Sequence, residues 1–122
     1  MIYVSVNEHL FPASISGRLR DESWDDRSSK DITLKMSYEL ALKTFIDDIE
    51  WSIIETSTIE EVIINDEGEE EIEIKEIQSV YDNSEYSIAG DIIDHRNGYI
   101  TARMGKPTAE ELLALIEEAI IQ

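Results

Sequence analysis

An α+β fold, a mainly antiparallel and twisted sheet of about six to eight strands built from hairpins with two helices packed on it, is what this sequence predicts. Three observations lead there. The stretch Asp31–Glu55 changes hydrophobic period twice, reading as strand, short helix, strand. On either side of it, segments of alternating apolar and polar residues are separated by turn-forming residues. The chain then closes on an apolar stripe of helical period behind a capping box. A length of 122 residues bounds this to one domain, 1–122, and 42% hydrophobic content is enough for a core.

Residues 2–6 and 9–20 form the first predicted hairpin. Asn7 and Glu8 make its turn, which sets Val4 opposite Phe11 and Ile2 opposite Ala13. Pro12 has no N–H for a ladder, so its strand should meet an edge, a bulge or solvent on that side, and Gly17 marks a bend. Asp21 to Lys30 is polar and reads as a connection. Trp24, its one large apolar residue, is either a surface anchor for a partner or a lid folded back on the sheet. Asp21, Glu22, Asp25 and Asp26 lack the Gly and Glu spacing of a calcium loop.

In the central unit Ile32, Leu34 and Met36 alternate as a strand, and Ser37 stands at an N-cap position. Tyr38, Ala41, Leu42, Phe45 and Ile46 fall on one helical face, and Ile49, Trp51 and Ile53 resume the alternation of a strand. Residues 56–80 predict a second hairpin, with Glu67–Glu69 as its loop, Val62 facing Ile74, Ile64 facing Ile72 and Glu61 meeting Lys75. Ten carboxylates lie between Glu55 and Glu76 against the single base Lys75, half of the net charge of −18. Repulsion and a thin apolar face predict that this acidic hairpin projects from the body.

Tyr86, Ile88 and Ile93 imply a strand whose parity switches at a bulge near Gly90. Asn97-Gly98 then predicts a two-residue turn that sets Ile93 opposite Ala102. The last helix starts at Thr108, with Glu111 completing the capping box, and its stripe of Leu112, Leu113, Leu115, Ile116, Ala119 and Ile120 is expected on the sheet, with oligomerisation as the alternative. The core is therefore predicted to hold Val4, Phe11, Ile15, Leu34, Leu42, Phe45, Trp51, Ile53, Ile88, Leu112, Ile116 and Ile120. Leu42→Asp is expected to unfold the domain.

Composition excludes several chemistries. Without cysteine there is no disulfide, thiolate nucleophile or Cys-based zinc site, and no P-loop, dinucleotide motif, nucleophile elbow or HExxH helix is present. Asp91, Asp94 and His95 resemble a site, yet in an ideal strand Asp94 faces away from the other two. The expectation is no catalytic residue, no metal, no cofactor and no enzyme. An excess of negative charge repels nucleic acid and anionic lipid, leaving a protein with a basic surface as the expected partner, with a homo-oligomer as an alternative. No targeting or membrane-spanning stretch is read in the sequence, which predicts an intracellular protein.

The pieces IYVSV, FPASISGRLRDESWDDR, DIEWSII, YDNSEYSIAGDIIDHRNG and MGKPT resemble small uncharacterised proteins encoded by phages and prophages of Gram-positive bacteria. That resemblance carries no mechanistic motif. It implies either an inhibitor acting in the cytoplasm of a bacterial host, on a basic or nucleic-acid-binding surface of a defence protein, or a structural or tail accessory component of the virion. For the first role the candidate contact residues are Glu67, Glu69, Glu70, Glu71, Glu73, Glu76 and Trp24. Glu69, Glu71 and Glu73 alternate at about 7 Å, near the spacing of phosphates along one DNA strand.

Overall fold

A computed structural model describes residues 1–121, with side chains through residue 118. Seven strands and two helices follow in the order β1 (Ile2–Val6), β2 (His9–Asp21), β3 (Arg27–Lys35), α1 (Tyr38–Thr44), β4 (Trp51–Ile64), β5 (Glu70–Asp82), β6 (Ile88–Asp94), β7 (Tyr99–Gly105) and α2 (Ala109–Ile121). The strands make one antiparallel sheet in the order β5-β4-β1-β2-β3-β7-β6, as the expected α+β architecture requires.

The first hairpin turns at Asn7 and Glu8, both with positive φ, and Val4 pairs with Phe11. Pairing between β1 and β2 stops at Tyr3↔Pro12, and from Ala13 onward β2 pairs with β3. A proline with no donor thus stands where the long strand passes from one half of the sheet to the other. Inward side chains of both halves meet in a single core. Val4, Val6 and Trp51 come from one half, Ile32, Leu34, Met36, Ile100, Ala102 and Met104 from the other. Trp51 is fixed in it by donating its indole N–H to the Tyr86 carbonyl at 3.1 Å.

Helix α1 starts where Ser37 caps it, its hydroxyl accepting the Leu40 N–H at 3.2 Å. Seven residues are barely two turns, so only a narrow line, Ala41 and Phe45, enters the core. Tyr38, Leu42 and Ile46 remain between 42% and 50% exposed, which corrects the assignment of Leu42 to the core. Past the helix, the Asp47 carboxylate accepts the Ala89 N–H at 2.8 Å and the Asp48 N–H donates to the Ser87 carbonyl at 2.7 Å. These bonds tie the loop to the start of β6.

Other expectations shift in register. The connection expected over Asp21–Lys30 contracts to Glu22–Asp26, because β2 runs on to Asp21 and β3 begins at Arg27. Irregular pairing falls between Arg18 and Asp21 rather than at Gly17, which still pairs with Lys30. Between β6 and β7 the turn holds three residues, Arg96–Gly98, closed by the His95 N–H to the Tyr99 carbonyl. That one extra residue reverses parity: Ile92, not Ile93, lies opposite Ala102 and leans on the core. The bulge expected near Gly90 is present between Ala89 and Ile92.

Among the remaining predicted core residues, Phe11, Ile15 and Ile53 pack against the core and Ile88 is half-buried. Helix α2 carries its capping box, with the Thr108 N–H donating to Glu111 at 2.9 Å and the Glu111 N–H to the Thr108 hydroxyl at 3.2 Å. Among the described residues its stripe is not buried on the sheet. Leu112, Leu113, Leu115 and Ile116 are all about half exposed, so Leu112 and Ile116 leave the core list; the side chain of Ile120 lies outside the described residues.

Candidate interaction arm

β1 is five residues long and β4 is fourteen, and this mismatch creates the most exposed feature of the chain. The β1–β4 ladder runs from Val6↔Trp51 to Ile2↔Glu55, after which Met1 and Thr56 exchange one more pair of backbone bonds, each at 2.8 Å. From Ser57 onward β4 has β5 as its only neighbour among the described residues. A two-stranded ribbon therefore projects roughly 25 Å at about 3.3 Å per residue. Every residue from 57 to 78 except Asn65 is exposed. This arm lies within residues 56–80, the acidic hairpin read from the sequence.

Its tip is built by Asn65. The side-chain oxygen accepts the N–H groups of Glu67 and Glu69 at 3.0 and 2.9 Å, and the side-chain amide donates to Glu71 at 2.9 Å. Gly68 has φ +78, a conformation that its lack of a Cβ makes easy. The turn therefore consumes Asn65–Glu69 rather than Glu67–Glu69 alone. Pairing shifts by two residues, and Val62 faces Ile72, Ile64 faces Glu70 and Glu61 faces Glu73. Parity survives a shift of two, so Lys75 still reaches Glu61 diagonally at 2.5 Å.

The two faces of the arm differ. On one face lie Glu61, Glu71, Glu73 and Lys75, with Ile59, Ile63 and Ile77 among them. The other gathers Val62, Ile64, Ile72 and Ile74, from 62% to 73% exposed, with Glu60, Glu70 and Glu76 around them. Of the candidate contact residues, Glu71 and Glu73 therefore share a face, Glu70 and Glu76 occupy the opposite one, and Glu67 and Glu69 belong to the turn. Composition announced the acidity of the arm; its amphipathic character follows from strand parity, a signal also present in the sequence.

Trp24 is not brought to the arm. It lies in the β2–β3 turn, half-buried against Gly90 and Gly105 at the far end of the strand order, with the Arg27 guanidinium 4.7 Å from its ring centroid. Beneath this turn Asp21 is buried, accepting from the Ser23 hydroxyl at 2.6 Å, the Ser23 N–H at 3.1 Å and the Ser29 hydroxyl at 3.2 Å, with Arg103 at 3.4 Å. The Ser23 hydroxyl bond above all, then Arg103 and Ser29, hold its carboxyl below the usual range against the opposing effect of burial. Every buried side-chain polar atom among the described residues has a partner, so this cluster is satisfied internally.

The Asp91, Asp94 and His95 grouping is dispersed. His95 Nε2 meets the Thr101 hydroxyl at 2.8 Å, Asp94 accepts the Arg96 N–H at 2.9 Å, and Asp91 sits in the β-bulge. Among the described residues no group of three or more His, Cys, Asp or Glu is placed to hold a metal ion, and no helix is long and apolar enough to cross a membrane. Compared with protein-family models, curated proteins and solved structures, the chain gives no match.

Proposed function

We propose that the protein is a non-enzymatic, acidic protein-binding module of phage or prophage origin, which occupies a basic, nucleic-acid-binding surface of a host protein such as a defence component. The observation that carries this reading is the arm: an exposed ribbon in which carboxylates outnumber the single Lys75 and which, among the described residues, no other element of the fold covers. Long-range attraction accelerates such an encounter, and an exposed contact weakens steeply with salt. The host cytoplasm is the compartment this role requires. Phage origin rests on the sequence resemblance.

The test is a pull-down from a Gram-positive lysate with the parent protein and with the combined Glu69→Gln, Glu71→Gln and Glu73→Gln variant. The expected result is a basic protein captured by the parent at low salt, released by physiological salt, and lost by the variant. Equal capture by both proteins rejects the acidic-arm mechanism.

One observation favours a second reading, a structural or tail accessory component: α2 leaves Leu112, Leu113, Leu115 and Ile116 uncovered, as a subunit of a larger assembly would. Mass spectrometry of purified virions separates the two, since an accessory component is present in stoichiometric amount and an inhibitor is not.

A further inference from the structure

β5 is the terminal strand of the sheet, and its outer side is unpaired along all thirteen residues among those described. The direction of its backbone groups follows from the bonds at the two ends of the β4–β5 ladder. At the tip the Asn65 N–H donates to the Glu69 carbonyl, and at the base the Asn83 N–H donates to the Trp51 carbonyl. Both pairs fall on the same register as Val62↔Ile72. Bonded and non-bonded pairs alternate in an antiparallel ladder, so Glu71 and Glu73 exchange bonds with β4. Ile72, Ile74 and Glu76 then point their N–H and C=O groups outward, toward the free side.

We propose that this edge accepts an extended segment of the partner as an added strand, and that the segment alternates Lys or Arg with Val, Ile or Leu. The inference deepens the acidic-module reading and rests on it. A strand laid beside β5 places successive side chains on opposite faces of the arm. Those on one face stand next to Glu71 and Glu73 and are cations; those on the other stand next to Ile72 and Ile74 and are apolar. The same rows disfavour a second copy of this chain, which offers Lys75 as its one cation on that face. Edge-to-edge pairing of two β5 strands would set the Glu71 and Glu73 rows of both copies side by side, and adjacent like charges destabilise a strand pair. A ribbon of two strands is marginal in water, so a third strand also orders the arm it joins.

The probe is a short blocked peptide of alternating Lys and Val, compared with a Lys-Ser peptide of equal length and charge, titrated into the full chain at low salt. Edge addition predicts that the Lys-Val peptide binds about tenfold more tightly, from the sum of several cross-strand apolar pairs. It also predicts that the amides of Ile72, Ile74 and Glu76 gain protection from hydrogen exchange. Ile72→Thr with Ile74→Thr, which keeps strand-forming side chains, should reduce Lys-Val binding to the Lys-Ser level. Equal affinity for both peptides with unchanged exchange at those three amides overturns edge addition and leaves the acidic module standing. Absence of binding by either peptide overturns both.

Discussion

Trp24 lies so close to Gly90 that a methyl carbon placed on the glycine would stand 2.7 Å from Cη2 of the indole. Gly105 is in the same position, since its methyl would meet Cζ3 of Trp24 at 2.8 Å and Cδ of Arg27 at 2.7 Å. The β2–β3 turn is therefore latched onto β6 and β7 by an aromatic ring resting on two residues without side chains.

Gly90→Ala and Gly105→Ala should each lower stability by about 1–3 kcal/mol, the cost of forcing an added carbon into a filled site. Removing the ring removes the clash, so in a Trp24→Ala background the further loss from Gly90→Ala should nearly vanish. Denaturant midpoints of the four proteins in that cycle measure the coupling. Additive losses would place the ring elsewhere in solution.

The two sides of α1 should behave differently. Phe45 is 3% exposed in the core, and Phe45→Ala should cost about 3–5 kcal/mol. Leu42 is 50% exposed, and Leu42→Asp should cost about 1–2 kcal/mol, from the half of the side chain that is covered and from an acidic residue in the last turn of the helix. A chemical melt of each variant checks the pair, and a large loss from Leu42→Asp would mean that a partner or second copy covers that face.

Acid should weaken the Trp24 turn through Asp21. Its carboxyl titrates below its ordinary value of about 3.9 because the Ser23 hydroxyl, then Arg103 and Ser29, stabilise the charged form. A depressed folded pKa adds stability that is complete above the unfolded value and is lost as pH falls through the folded one. Asp21→Asn should therefore be less stable than the parent near pH 6, and the gap should close as pH drops below about 4. Midpoints for both proteins across that range test it, because protonation of the arm is common to the two and cancels in the difference.

The body should fold without the arm. Replacing residues 58–76 by Asn-Gly joins Ser57 to Ile77, a pair that lies on the β4–β5 ladder, and removes no residue of the core. The shortened protein should melt within a few degrees of the parent. A collapse of the melting temperature would show that the arm supports the body.

Local signals were legible in the sequence wherever a few neighbouring residues determine the backbone. Asn7-Glu8, the Ser37 cap, the Thr108–Glu111 box and the bulge beside Gly90 are all found, because each depends on dihedral preferences and hydrogen bonds within about five residues. The parity of β1, β3 and the arm was likewise legible, since alternation survives any even shift in register. Only the tertiary structure decided which apolar faces find a cover. Leu42, Leu112, Leu113, Leu115 and Ile116 have core-like periodicity and stay about half exposed, while Trp24 lies in a polar loop and finds the bare backbones of Gly90 and Gly105 across the sheet. Burial depends on what arrives from elsewhere in the chain. The free edge of β5 has the same origin: strand order is set by which hydrophobic faces can close together, and periodicity within a strand carries no information about its neighbour.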